Sequence, residues 1–414
     1  MLDTLPLSRK QLRSVVQASA RINLWHGAVR SGKTIASLLA WLLAVAEAPP
    51  SGLIIVVGRS LQTIERNVFE PLQDPALFGP VAAQVRHTRG ATTAAVLGRT
   101  VHLIGAADAR AEGRLRGLTA SLAYVDELTL LPEAFFVQLL ARLSVPGARA
   151  LATTNPDSPR HWAKVGYLDR AHELDLRAWH FRLDDNPSLS PAYVAALAAE
   201  YVGLWRRRMI DGAWVVAEGA IYDMWDEQQH VVDELPAMRR YWVGCDYGTS
   251  NPFAALLLGL GNDDRLYVVG EWRHDARAAH RQLTDAQYSA RLRAWLGEQG
   301  IVPEWTFVDP SAASFITQLW ADGHPGVARA NNDVLDGIRS TATALDSGLL
   351  RIHRSCAGLL GELPGYGWDA AASEKGEDRP LKRDDHSVDA LRYAMHSTRH
   401  AWHHLLPRGG ECGA

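Results

Sequence analysis

Hydrophobic and polar positions follow two rhythms along this chain. Up to about residue 180, short and nearly continuous apolar runs recur at 22–25, 53–57, 101–104, 122–125 and 150–154. Runs of this length without strict alternation predict strands buried on both faces, as in a parallel sheet covered by helices. Helical periods lie between them, and one helix, 34–48, is predicted to stop at Pro49-Pro50. Residues 181–239 are mixed: a helical stretch over 192–209 lies between Asn186-Pro187 and the glycines Gly212 and Gly219. After Arg240 three strands come in succession, 241–245, 253–260 and 265–272, the last two joined by the turn Gly261-Asn262-Asp263-Asp264. A helix (284–296), a strand (306–308), further α/β alternation and a final helix (387–397) follow. The pattern predicts an α/β protein with a first domain over 1–180, a connecting subdomain over 181–239, a second domain over 240–400 and a short tail, 401–414.

Composition changes this picture little. With 47% hydrophobic and 21% charged residues, the 414-residue chain reads as ordinary globular protein with room for two or three cores. No stretch approaches about 18 uninterrupted apolar residues, so no membrane span is expected. The first residues lack the basic-then-apolar layout of a signal peptide, which points to the cytoplasm. Cys245, Cys356 and Cys412 are too few and too scattered for a disulfide framework or a zinc knuckle. The net charge of −3 is unevenly spread: residues 1–180 hold 20 Lys+Arg against 14 Asp+Glu, whereas 240–414 hold 18 against 22. A basic first domain and an acidic second one fit a protein that moves along nucleic acid and carries a carboxylate-rich metal site, although charge alone selects no function.

The strongest chemical signal is Gly27-Ala28-Val29-Arg30-Ser31-Gly32-Lys33-Thr34, which matches G-x-x-x-x-G-K-[ST] between a predicted strand and a predicted helix. Such a loop wraps backbone N–H groups around nucleoside phosphates at the positive end of a helix. Gly27, Arg30, Ser31, Gly32, Lys33 and Thr34 are therefore candidate ATP contacts, with Lys33 reaching the β- and γ-phosphates and the Thr34 hydroxyl on Mg²⁺. The strand 122–125 ends in Asp126-Glu127; Asp126 is read as the Mg²⁺-side acid and Glu127 as the general base for the attacking water. The next strand ends in Thr153-Thr154-Asn155-Pro156, where Asn155 can meet the γ-phosphate or the lytic water, or else simply form an Asn-Pro turn. Arg30 can contact the γ-phosphate from its own subunit. Arg116, in Arg114-Leu115-Arg116-Gly117, can reach a neighbour's nucleotide as an arginine finger, or be a solvated loop cation.

The second half offers acids where predicted strands end. Asp246 ends the first strand, Asp309 the fourth, and Asp389 lies on the last helix with Asp385 and His386 one turn before it. Carboxylates so placed suit Mg²⁺ or Mn²⁺, and two such ions cut a phosphodiester by activating water and stabilising the departing oxygen. Asp246, Asp309, Asp389 and Asp385 are candidate metal ligands, and His386 a ligand, proton donor or outer partner. The plainer alternative makes Asp385 and Asp309 helix-start residues. Lys375, Lys382 and Arg383 flank a stretch, 372–385, expected to form a hairpin near the scissile phosphate or a charged loop.

In this order and spacing the motifs resemble the large subunit of bacteriophage terminases, of the PBSX-like kind. The residues that carry the resemblance run from Gly27 to Thr34, through Arg114 to Thr119, Val125-Asp126-Glu127, Ala152 to Pro156, Asp184-Asp185-Asn186-Pro187, and Asp211-Gly212-Ala213-Trp214 followed by Glu218-Gly219, to Gly244 to Gly248, Val308-Asp309-Pro310 and His386 to Tyr393. The resemblance implies an N-terminal P-loop ATPase domain of the ASCE, RecA-like type and a C-terminal RNase H-like nuclease domain. The three consecutive strands after Arg240 have the order of the latter fold. It further implies ATP-driven movement of double-stranded DNA into a procapsid and cutting of concatemers, in the host cytoplasm and at the portal vertex. The partners implied are double-stranded DNA, a small terminase subunit, the portal protein and a homo-oligomeric ring, commonly a pentamer. Gln11 would be an adenine contact. The competing readings are a cellular helicase-nuclease or repair ATPase, and a nucleotide-gated DNA-binding scaffold with inactive sites.

Overall fold

A computed structural model describes residues 7–107, 109–248 and 251–406. Cys412 and residues 407–414 of the tail lie outside the described residues. The chain divides into two compact units. The first comprises 1–194, 204–216 and 374–377; the second comprises 195–203, 217–373 and 378–414. The segment 181–239 is thus shared between the units rather than forming a body of its own.

The first unit is built on eight strands: β1 (Ile22–Gly27), β2 (Leu53–Gly58), β3 (Val85–His87), β4 (Thr93–Val96), β5 (Arg99–Gly105), β6 (Ala120–Val125), β7 (Arg149–Thr154) and β8 (Leu176–Phe181). Their order is β3-β4-β5-β2-β6-β7-β1-β8. From β5 to β8 every pairing is parallel, and β3-β4-β5 add an antiparallel edge. Successive residues of β1 feed opposite cores, Trp25 on one face with the helix Lys33–Glu47 and Leu24 on the other with the helix Glu133–Arg142. That two-sided burial explains why these strands read as apolar runs. The edge hairpin and β8, buried only at alternate or terminal positions, leave no such run and escape the hydrophobic pattern.

The second unit holds β9 (Val231–Val232), β10 (Met238–Asp246), β11 (Phe253–Gly261), β12 (Leu266–His274), β13 (Trp305–Val308), β14 (Val327–Arg329) and β15 (Leu350–His353), in the order β14-β13-β10-β11-β12-β15-β9. β10, β11 and β12 form the antiparallel meander that the sequence predicts; β13 joins β10 in parallel and β14 joins β13. Helices Asp285–Glu298 and Ala313–Ala321 cover one face through Tyr288, Leu292, Phe315 and Leu319. The helix His386–Ser397 lies across β10 and β11. Its approach is set by Gly244, where a Cβ would overlap the Ala390 carbonyl oxygen and press on Ala394.

Two predicted elements differ. The helical stretch 192–209 is broken: an α-helix covers Pro191–Glu200, and a π-turn over Arg206–Ile210 follows Gly203, whose φ is +52°. The stretch 372–385 opens with the end of the short helix Ala370–Glu374, because Asp369 accepts from the amides of Ala371 and Ala372 and alanines fill that turn; antiparallel pairing is kept at its flanks, where Asp369 N donates to Arg379 O (2.8 Å) and Leu381 N to Gly367 O (2.9 Å).

Candidate functional site

The first cluster of chemistry lies at the carboxyl edge of the eight-stranded sheet. β1 runs out into the glycine loop, whose backbone turns left-handed at Arg30 (φ +55°) and Gly32 (φ +78°) before the helix Lys33–Glu47 begins. No side chain caps that helix and its first turn holds no acid, so its first N–H groups are left to an incoming anion. The loop is braced from several sides. Ala28 N donates to Phe181 O of β8 (2.7 Å), Val29 N to Met209 O (2.8 Å), and Asn186 Nδ2 to Arg30 O (2.6 Å). Gln11 is buried; its Nε2 donates to Ser31 O (3.1 Å), while its Oε1 accepts from Ser8 N (2.7 Å). Both ends of the Gln11 amide are therefore engaged with protein backbone.

Lys33 is 4% exposed, and its Nζ donates to two neutral acceptors, Asn155 Oδ1 (2.6 Å) and Ala28 O (3.1 Å). Burial lowers its pKa, opposed by the charges of Glu127 and Asp126. β7 is inserted between β1 and β6, so Asn155 at its end stands between the lysine and the acids. Asn155 Nδ2 lies 3.2 Å from both Glu127 carboxylate oxygens, and Asn155 N donates to Glu127 Oε2 at 3.3 Å. Glu127 itself is left-handed (φ +52°), an unfavourable conformation for a non-glycine residue that aims its carboxylate at this network. Asp126 accepts from Asn67 Nδ2 (2.8 Å) and Thr153 Oγ1 (3.3 Å). Burial and the adjacent Glu127 charge push the Asp126 carboxyl up to about 6. A buried lysine with neutral partners facing two acids fits a site for a polyanion accompanied by a divalent cation.

Lys33, Asp126, Glu127 and Asn155 are thus brought together. Arg30 is exposed. Arg114 is tied to Gly105 O at 2.6 Å, whereas the exposed Arg116 makes a 3.7 Å ion pair with Glu112 among the described residues. Sequence reasoning missed Asn67 and Met209, which no motif marks because their roles arise from neighbouring turns.

The second cluster lies in the other unit, in a cleft of about 550 Å³ at the end of β10. Asp246, Asp309, Asp385, His386 and Asp389 all line it, joined by Lys382 and Tyr393. His386 Nδ1 is 2.9 Å from Asp246 Oδ2. That bond outweighs desolvation and raises the His386 pKa. Burial raises the Asp246 carboxyl; His386 opposes the rise, while the charges of Asp389 and Asp309 reinforce it. Asp389 is held by Lys382 Nζ (2.5 Å) and by Arg392 Nε and Nη2 (3.2 and 3.1 Å), and Lys382 also lies 3.0 Å from Asp385. Among the described residues, no three His, Cys, Asp or Glu side chains converge closely enough to hold an ion as they stand. Lys382 and Arg392 hold Asp389, Lys382 also meets Asp385, His386 meets Asp246, and Asp309 accepts from Ser311 N at 2.9 Å. The donor set nevertheless suits a hard divalent cation: mutually repelling carboxylates, oxygen donors and no thiolate.

Comparison with known proteins decides the family. Residues 25–229 match the family model for the N-terminal part of the terminase large subunit, T4likevirus-type. The crystallised large terminase of a thermophilic bacteriophage is 36% identical, with a TM-score of 0.83 over 94% of this chain and 98% of that one. The chain belongs to the phage large terminase family. The same thermophilic phage terminase has been solved with ADP (TM-score 0.82) and with ATP-γ-S (0.81), each at 36% identity and the same coverage. No curated protein matches the sequence. As a large terminase, the chain serves viral DNA packaging. Among the described residues no helix is long and apolar enough to cross a membrane.

Proposed function

We propose that this large terminase drives double-stranded DNA into procapsids by ATP hydrolysis and cuts concatemeric DNA with a divalent-metal nuclease. One observation carries the reading: Lys33, Asn155, Asp126 and Glu127 converge at the edge of one sheet, while Asp246, Asp309 and Asp389 line a cleft in another. On this reading the first unit is a P-loop ATPase domain and the second an RNase H-like nuclease domain. The ADP and ATP-γ-S complexes of the thermophilic phage relative support nucleotide binding by this chain, for which the glycine loop is the fitting site.

In the ATPase site the loop amides and Lys33 hold the phosphates, and Gln11 and Asn186 keep the loop in shape from below. Thr34 and Asp126 would hold Mg²⁺, which when bound neutralises phosphate charge. Glu127 accepts a proton from the attacking water at its carboxylate oxygen. Asn155 aligns that carboxylate and links it to Lys33, so arrival of a γ-phosphate at Lys33 is felt at the base. Arg30 faces the γ-phosphate in its own subunit, and Arg116, the freer of the two loop arginines, serves as the finger toward a neighbour in a pentameric ring at the portal.

In the nuclease site Asp246, Asp309 and Asp389, with Asp385 beside them, would hold Mg²⁺ or Mn²⁺, a pair of ions that supplies an activated water and a Lewis acid when bound. Lys382 leaves Asp389 for the DNA phosphate, and His386 holds Asp246 in place. Double-stranded DNA, a small terminase subunit and the portal protein are the partners of this reading. The test is ATP hydrolysis and Mn²⁺-dependent plasmid cutting by purified protein. Glu127→Ala is expected to abolish hydrolysis and spare cutting, and Asp246→Ala the reverse. If either variant removes both activities, the two-site assignment fails.

A further inference from the structure

The helix that carries His386 and Asp389 begins without a cap of its own. Asp385 sits at its N-cap position but makes no side-chain hydrogen bond to the first turn. The exposed amide dipoles are met from elsewhere in the fold. Glu362, at the end of the helix Ala357–Glu362, accepts from Ser387 N at 2.6 Å and from Val388 N at 3.1 Å through a single oxygen, Oε2. Its other oxygen accepts from Arg273 Nη1 of β12 at 2.6 Å. Arg273 Nη1 also donates to Ser387 Oγ (2.7 Å), and that hydroxyl donates to Glu271 Oε1 at 2.5 Å. Glu271 Oε2 in turn accepts from Gly358 N (2.7 Å) and Leu359 N (3.2 Å), fixing the start of the helix that ends in Glu362.

We infer that Glu362, held by Arg273 and Glu271, is a positioning residue for the nuclease centre, setting where His386 and Asp389 stand relative to Asp246. The inference rests on the nuclease reading above. Glu362 is 7% exposed and does not line the cleft, so it acts only through the backbone of the helix. A carboxylate at a helix N-terminus satisfies orphan N–H groups and complements the dipole. His386 and Asp389 occupy the first and fourth positions of that helix, where a change in the first turn is transmitted directly to both side chains. Partners that orient metal-binding groups typically govern metal affinity or activity by about 10–100-fold when removed.

The test uses the full chain and Glu362→Gln, which keeps size and one acceptor but loses the charge and the Arg273 pair. Mn²⁺ binding by calorimetry without DNA, amide exchange at Ser387 and Val388, and the Mn²⁺ concentration for half-maximal plasmid cutting are measured beside ATP hydrolysis. Expected are about tenfold weaker Mn²⁺ binding, a parallel rise in the half-maximal concentration, faster exchange at both amides, and unchanged ATP hydrolysis and DNA KM. A lowered melting temperature with unchanged Mn²⁺ affinity overturns the inference, because a merely structural residue would do only that. If Glu362→Gln does not fold, Arg273→Gln is read by the same criteria: weakened Mn²⁺ binding supports the inference and unchanged binding overturns it. Asp246→Ala separates the two claims: if it still cuts DNA the nuclease reading fails, whereas if it is inert and Glu362→Gln is normal only the positioning role is lost.

Discussion

At the scale of single residues, the most informative side chains are those whose partners are mismatched to their charge. Asn155 is neutral yet bridges Lys33 and the Glu127 carboxylate. Asn155→Ala would release both, and a loss of about 10²-fold in ATP turnover is expected, typical of removing a group that orients a general base. Nucleotide binding should change far less, because Lys33 and the loop amides remain; fluorescent-nucleotide titration beside steady-state hydrolysis separates the two. His26, just before the loop, is a second case. Burial, followed by the fields of His180, Lys164 and Lys33, lowers its pKa to about 3, and Trp214 Nε1 donates to its Nδ1 at 3.3 Å, which requires that nitrogen to be unprotonated. A histidine depressed on folding is protonated more readily when unfolded, so stability falls as pH drops below about 6.5 toward 3. Between pH 7 and pH 5 the loss is about 2 kcal/mol, and urea midpoints measured at the two pH values should be less far apart in His26→Gln than in the wild type.

At the scale of elements, the proposed nuclease centre depends on one close approach. The helix His386–Ser397 can lie on β10 because residue 244 has no side chain. Gly244→Ala would push the Ala390 turn away from the strand that ends in Asp246. Overpacking of this kind costs about 1–3 kcal/mol. The expected outcome is a lower melting temperature together with loss of DNA cutting, while ATP hydrolysis at a temperature below the melt is kept. The elements also show what a sequence pattern conveys. β1, β2, β6 and β7 are legible because helices cover both of their faces, which forces unbroken apolar runs. β8 is not, since only its two ends, Leu176 and Phe181, are buried while Arg177 and Ala178 are exposed; yet its Phe181 carbonyl holds Ala28 at the base of the loop. The loop expected as a hairpin over 372–385 pairs antiparallel at its flanks, Trp368 against Pro380, but starts as a helical turn for a local reason, the capping of an alanine-rich segment by Asp369.

At the scale of the whole molecule, two compact units of one chain each predict their own response to solution conditions. Chelation of divalent ions by EDTA should abolish plasmid cutting and ATP hydrolysis alike, and Mn²⁺ should restore cutting to the wild type but not to Asp246→Ala. DNA binding, whose partner is a phosphate backbone, should weaken steeply between about 50 and 200 mM salt and show little dependence on base sequence. Retained affinity at the higher salt would argue against backbone recognition.

The α/β class, the glycine loop with Lys33 and Thr34, and the placing of Asp126, Glu127, Asp246 and Asp309 at strand ends are legible in the residues alone, because backbone period and local loop chemistry are written in chain neighbours. The packed fold alone brings groups together from distant stretches: Asn67 on Asp126, Asn186 on Arg30, and Glu362 on the first amides of the helix His386–Ser397. Most of these contacts satisfy buried charges and helix ends between residues far apart in the chain. Such pairings follow from strand order and packing, and no short stretch of chain records them.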